Sequence, residues 1–541
     1  MTEKACKSCN NQFKIENEDL AFLETVSPTF HSKKFQIPAP LLCPKCRQQR
    51  RLLFRNERAL YKRKCDKSGK DMVSIYSPDK PYTVYDNEVW WGDDWDPLDY
   101  GKDFDFSRPF FEQFDELLKD VPKMSRVQQG ENENSEYTNC ASNNKNCYLI
   151  FSSNSSEDCM YGTWVQSSKD CLDGYDLQGC ELAYECIDCF NCYDIQYCQK
   201  LYNSSRARYC FDCRNCNNIF ACVGLRNKEY FILNKKVSKE EFENLMQNNE
   251  KKAEVLKKYN DLYLSVPRIY TMYLNSENFS GNNVVNCKNV HYCNDVFNLE
   301  DCKYCHNLEN SKTCYDICYY GITGTNERLY EVEGSGHGIV NVLFSKMVWG
   351  GCIDIMYSYE CFASKNLFGC TGLKRAQYCI LNKKYPKEDY EKIVPKIIEH
   401  MKKTGEWGEY FNPSISPFGY NETVAREFFP LTKEKALERG YKWKDKDPKE
   451  YQKAHGDILA CEDCSKNYKI TPHEQSFYNK QSIPIPKKCP DCRHIQRVAL
   501  RGAGKLYDRK CNECSADIQT TYSPERPEKV YCEACYLKAI D

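Results

Sequence analysis

The sequence predicts a mainly β fold: a Cys-lined β-solenoid in two segments with capping helices, flanked at both ends by small CxxC modules. Three observations carry this. CxxC pairs crowd both ends of the chain, and small or aliphatic residues recur at every third position through the middle. Two segments, Phe220–Lys228 and Phe368–Ala376, each run on into an Ile-Leu-Asn-Lys-Lys block and a helix start.

At 541 residues the chain has room for three or four domains. Its 76 Lys+Arg balance 77 Asp+Glu, so electrostatic binding has to come from a local patch. Mean hydropathy is −0.73, and no apolar run approaches the roughly 20 residues of a membrane-spanning helix. The opening MTEKACKSCN lacks the apolar stretch of a secretory signal, so the expected location is the cytoplasm, with no membrane partner. The 36 Cys are then read as metal ligands and interior residues rather than as disulfides.

Residues 1–92 are read as a first module. Cys6-Lys-Ser-Cys9 and Cys43-Pro-Lys-Cys46 supply four thiolates, the set that zinc takes at tetrahedral corners. The CPxCR turn opens a basic segment, Arg47–Lys64, whose residue types predict a helix carrying Arg47, Arg51, Arg55, Arg58 and Lys62 on one stripe. Tyr61-Lys-Arg-Lys-Cys65 and Tyr76-Ser-Pro-Asp-Lys-Pro81 follow; the second site of this module keeps only Cys65 and is expected to be metal-free. Residues 93–136 read as a helical linker, with a helix over Ser107–Leu118.

From 137 to 236 the period of three takes over. Cys147, Ile150, Ser153, Ser156 and Cys159 begin a series that runs to Leu225, with larger or polar residues between its members. A capping helix is expected over 237–270, opened by the capping box Ser238-Lys-Glu-Glu241. The pattern resumes over 271–383 in new frames. Of the 23 Cys between 140 and 379, only Cys140 and Cys318 fall out of phase, and neither a helix nor a flat strand generates such a period. A narrow solenoid does, with thiols as compact interior fillers. Residues 384–456 read as a helical connector with a short helix from Thr432 to Gly440.

Residues 457–541 carry a double module. Cys461, Cys464, Cys489 and Cys492 form one four-thiol set, and Cys511, Cys514, Cys532 and Cys535 a second, for three zinc ions in all. Redox CxxC pairs are the alternative. Tyr507-Asp-Arg-Lys-Cys511 and Tyr522-Ser-Pro-Glu-Arg-Pro527 repeat the N-terminal motifs, so the module is duplicated; Ser68, Asp86 and Val89 stand where Cys514, Cys532 and Cys535 stand here. Arg493, Arg497 and Arg501 repeat the basic stripe on a helix that Gly502 and Gly504 weaken. In each copy the first half resembles a treble-clef finger and the second a zinc ribbon.

The segments CPxCRxxRR at 43–51, YKRKC, YSPDKP, the LNKK blocks and Ser416-Pro-Phe-Gly-Tyr-Asn-Glu422 together resemble a zinc-ribbon family of candidate-phylum bacteria with Cys-rich central repeats. That resemblance implies zinc binding and no assigned activity.

The functional expectation is a non-enzymatic zinc-binding scaffold that binds nucleic acid, RNA or a ribonucleoprotein, through its two basic stripes. A protein–protein adaptor using the Tyr-rich solenoid surface is one alternative. An iron–sulfur redox protein is the other, with Cys186, Cys189, Cys192 and Cys198, or Cys210, Cys213, Cys216 and Cys222, as ligands. No phosphate loop, nucleotide fingerprint or nucleophile motif is present, and His337, set among glycines, has no evident partner in the sequence. The sequence leaves the oligomeric state open.

Overall fold

Every third residue through the middle of the chain has a positive φ. Asn146 stands at 52°, Asp158 at 53° and Asp173 at 55°, with Asn286, Asn298 and Asp316 at 54°, 56° and 59° in the later stretch. The left-handed region costs most side chains about 1–2 kcal/mol, and Asn and Asp enter it most readily. The chain therefore turns once per triplet, and the residue just after each turn points inward. Those inward positions form two buried clusters, one running from Cys147 to Cys222 and one from Val284 to Cys379.

The structure is a computed structural model that describes residues 2–320, 326–501 and 504–540. Gly502 lies outside the described residues. The protein is mainly β, and the chain divides into two units: residues up to Ser125 with Thr271–Lys444, and Arg126–Tyr270 with residues from Asp445 onward. Each unit therefore joins one terminal module to the stack that lies farther from it in sequence.

In the unit containing Arg126–Tyr270, strands pair in parallel, first at a step of thirteen from Gln128 to Ala141 and from there on at twelve. Phe151 pairs with Thr163, Thr163 with Tyr175, and Tyr175 with Ile187; a second sheet runs through Tyr193, Ser205, Asn217 and Glu229. Isolated bridges such as Tyr148 to Met160 to Leu172 keep the same step. Twelve residues make four triplets per layer. An antiparallel turn, Glu229–Ile232 against Lys235–Lys236, ends the stack, and helices Lys239–Gln247 and Asn249–Ser265 follow. The capping box of Ser238 and Glu241 is formed. The single helix expected here is broken because the Asn248 side chain accepts the Lys251 N–H and starts a second one.

In the unit containing Thr271–Lys444, an eleven-stranded, mostly parallel sheet runs from Tyr273–Leu274 to Gln377–Ile380 and ends on the antiparallel Lys383–Lys384. Its step varies: eleven from Tyr273 to Val284, twelve from Asn294 to His306 and from Ile353 through Lys365 to Gln377, fifteen from Ser311 to Asn326, and thirteen from Glu327 to Val340 and from Val340 to Ile353. Helix Lys387–Thr404 packs behind it, burying Val394, Ile397, Ile398 and Met401.

Cysteine suits the inward positions for a polar as well as a steric reason. The Cys159 thiol donates to the Glu157 carbonyl at 3.2 Å and lies 3.5 Å from that of Ser168, and Cys186 repeats this with Tyr184 and Ile195 at 3.2 and 3.6 Å. Ser204 does the same to Tyr202 at 2.9 Å. A small side chain with one weak donor satisfies a carbonyl that the tight turn directs inward, which is why Cys and Ser exchange along the series. Burial pushes the thiols of Cys159, Cys186, Cys293 and Cys370 well above the ordinary range, which keeps them protonated and inert. At the turns, Asn191, Asn203, Asn215 and Asn227 join layer to layer by amide hydrogen bonds of 3.1–3.3 Å.

The basic segment Arg47–Lys64 is not one helix. The helix spans Pro44–Leu52. Beyond it the Asn56 side chain accepts the Ala59 N–H at 2.9 Å and donates to the carbonyls of Ala59 and Ile75. That local turn outcompetes helix continuation. Tyr61–Lys64 is a strand, paired antiparallel with Asp71–Ser74.

Candidate metal centres and the arginine faces beside them

Among the described residues, three groups bring four Sγ atoms within 4.8 Å of one another: Cys6, Cys9, Cys43 and Cys46; Cys461, Cys464, Cys489 and Cys492; Cys511, Cys514, Cys532 and Cys535. Each comes from two tight turns. In all three the second turn also opens a helix, with Cys43, Cys489 and Cys532 immediately before Pro44, Pro490 and Glu533. Sulfur pairs stand 3.8 Å apart at Cys9 and Cys43, 3.7 Å at Cys464 and Cys489, and 3.6 Å at Cys514 and Cys532. A tetrahedral ion with arms of about 2.3 Å requires edges of about 3.8 Å. The thiols form no disulfide.

Backbone N–H groups aim at the first cysteine of each set. The Cys43 N–H donates to Cys6 Sγ, and the Cys532 N–H to Cys511 Sγ, both at 3.2 Å. Burial pushes the Cys461 thiol up, but the N–H groups of Cys489, Cys464 and Asp463 outweigh it and bring it down to about 7; Cys511 falls to about 6 in the same way. The Cys46 thiol bonds to Cys43, which draws Cys43 down to about 5. Four sulfurs held at bonding distance, some of them already inclined to lose a proton, form a donor set for a thiophilic cation.

The fourth such place, in the N-terminal module, keeps the same backbone cradle with one thiol. Cys65 Sγ accepts the N–H groups of Ser68 and Asp86 at 3.4 and 3.3 Å. The runs Cys186–Cys198 and Cys210–Cys222, weighed as cluster ligands, lie along the interior of their stack, buried and donating to backbone carbonyls.

The arginines lie elsewhere than the sequence suggested. Arg47, Arg51 and Arg55 are buried, and so are Arg493 and Arg497, while Arg501 is half-buried. All six pair with carboxylates of the stack in their own unit. Arg47 binds Asp316 at 2.8 Å; Arg51, fully buried, reaches Asp316 at 3.2 Å and Glu331 at 3.1 Å; Arg55 reaches Glu333 at 2.9 Å. In the other unit Arg493 lies 3.2 Å from Asp173, Arg497 bridges Asp173 and Glu185 at 3.0 and 2.9 Å, and Arg501 bridges Asp176 and Asp188 at 2.9 and 2.7 Å.

This corrects the reading of these six residues as phosphate contacts, because each guanidinium is turned toward an internal carboxylate. Arg58 is half-buried beyond the end of the helix, and Lys62 is exposed on the Tyr61–Lys64 strand. Neither a family model nor a curated protein matches the chain.

The acidic partners went unnoticed in the sequence, although their spacing marks them. Asp173 and Glu185 are twelve apart, as are Asp176 and Asp188, and all four have positive φ. In the other stack Tyr315 pairs with Tyr330, which places Asp316 and Glu331 in adjacent layers. Layers are about 4.8 Å apart, so carboxylates stacked this way repel unless a cation lies between them. The helix supplies it, one arginine per turn. Burial raises the Glu331 carboxyl, but Arg50, Arg51 and Arg47 prevail and hold it below its ordinary range.

Among the described residues, no helix is long and apolar enough to cross a membrane.

Proposed function

We propose that the protein is a non-enzymatic zinc-binding scaffold, in which each stack is a closed solenoid, regular at twelve residues per turn in one and varied in length in the other, and each terminal module clamps one solenoid. The observation that carries this reading is the docking of both arginine stripes on layered carboxylates. Two copies of the module, separated by most of the chain, make the same kind of contact with equivalent residues, Arg47 matching Arg493 and Arg51 matching Arg497. All-thiolate sets of four suit zinc as a structural ion that fixes the start of each arginine-bearing helix. Elemental analysis of the purified chain is expected to find three zinc and no iron per molecule; a count below three, or iron at any of the sets, overturns the assignment.

Nucleic-acid binding is the second reading, and of the residues first singled out it keeps Lys62, joined by three neighbouring lysines. Lys62, Lys64, Lys67 and Lys70 are exposed along the Tyr61–Ser74 hairpin, where the C-terminal copy has Asp508 in place of Lys62. Titration with generic RNA across a salt series is expected to lose affinity, and about two units of salt slope, when Lys62 and Lys64 are changed to Glu. Unchanged binding would remove RNA from the account.

A further inference from the structure

The duplicated helices differ in the residues outside the arginine stripe that they share. In the first, Gln49, Arg50, Leu53 and Phe54 are all buried, because the connector after helix Lys387–Thr404 lies over them. Gln49 donates to Tyr420 Oη at 2.8 Å, and Arg50 bridges Glu409 of the connector at 2.6 Å and Glu331 of the stack at 2.8 Å. The Ser416 hydroxyl donates to the Leu53 carbonyl at 2.7 Å, and the Phe54 ring meets those of Tyr410 and Phe411 with centroids 5.7 Å away. In the second helix, Pro490–Arg501, the matching residues are Ile495, Gln496, Ala499 and Leu500, and all four are exposed, Ile495 by 42% and Leu500 by 54%.

At 100° per residue these four positions fill one arc of about 140°. The arc has become more aliphatic, with Ile495 in place of Gln49, while the covering it has in the other copy is missing. Among the described residues no second connector provides that covering. After helix Asn249–Ser265 it passes within a few residues to Thr271, the start of the other unit's stack. The other face of the same helix is the arginine interface already described.

We infer that the exposed face of helix Pro490–Arg501 docks a segment of a partner protein, rich in aromatic residues and folded in short helical turns, lying as Glu406–Phe429, with its turns at Pro413–Ile415, Tyr420–Glu422 and Ala425–Phe428, lies on helix Pro44–Leu52. Two differences define the segment further. Ile495 and Gln496 replace the hydrogen-bonding Gln49 and the charged Arg50, so the partner needs an apolar side chain opposite 495 and no carboxylate opposite 496.

The test uses the full chain and a labelled synthetic peptide of residues 406–429 carrying Glu409→Gln, followed by fluorescence anisotropy. Saturable binding is expected, weakened about tenfold or more by Ile495→Glu and by Leu500→Glu, as loss of one buried aliphatic contact implies. Because both residues are exposed, the variants should keep the metal content and melting temperature of the parent, which separates lost docking from lost folding. Absence of binding, or binding that neither substitution changes, overturns the inference. So does a concentration-dependent dimer that Leu500→Glu dissolves, since the face would then belong to a second copy.

Discussion

Changing Arg51 to Met is expected to lower the unfolding free energy of its unit by about 3–5 kcal/mol, the usual cost of leaving buried charges without a partner. The substitution keeps the bulk of the side chain and removes a guanidinium that reaches both Asp316 and Glu331. Chemical denaturation of the full chain measures it, and a change under about 1 kcal/mol would mean that Arg47 and Arg50 neutralise the layered pair on their own. The effect carries a pH signature. Glu331 is held below the 4.5 of a free glutamate, so its stabilising contribution is complete above that value and disappears as the pH falls through its folded pKa. Without Arg51 the folded pKa rises and the acid-sensitive window becomes shallower.

Loss of metal from the Cys461 set is expected to have a still larger effect. Structural zinc in small thiolate sites contributes about 10–16 kcal/mol of apparent binding free energy, and that energy is coupled to folding. Cys489→Ser removes a ligand at the very start of helix Pro490–Arg501. Hydrogen exchange should then show the helix amides losing protection together with the strand residues around Asp173 and Glu185, while the metal count falls from three to two. A helix that remained protected without the ion would show that the arginine contacts alone hold it, and the clamp would not depend on metal.

Much of this architecture was legible because its main constraint is local. A left-handed residue in every triplet forces a small neighbour inward, and the Cys, Ser, Ala and Ile series records that choice directly. The metal sets were legible for the same reason, since each half of a set is a four-residue turn. The contacts that organise each unit were not. Arg497 and Glu185 lie 312 residues apart, and a basic helical stripe looks the same whether it faces phosphate or an internal carboxylate. The pairing of each module with the farther stack left no local trace either. Nor did the end of the first helix at Leu52, which is set by the hydrogen bonds of one asparagine side chain against a run of good helix formers.

The twelve-residue step has an evolutionary consequence. Splicing in twelve residues would add one storey and leave every existing pair intact, whereas a single extra residue would rotate everything downstream by part of a turn and swing the thiols to the surface. Where the step lengthens to thirteen between Val340 and Ile353, the surplus falls at Gly350 and Gly351, both with positive φ. Length change in such proteins should therefore be quantised, with smaller insertions and deletions confined to glycine breaks of this kind.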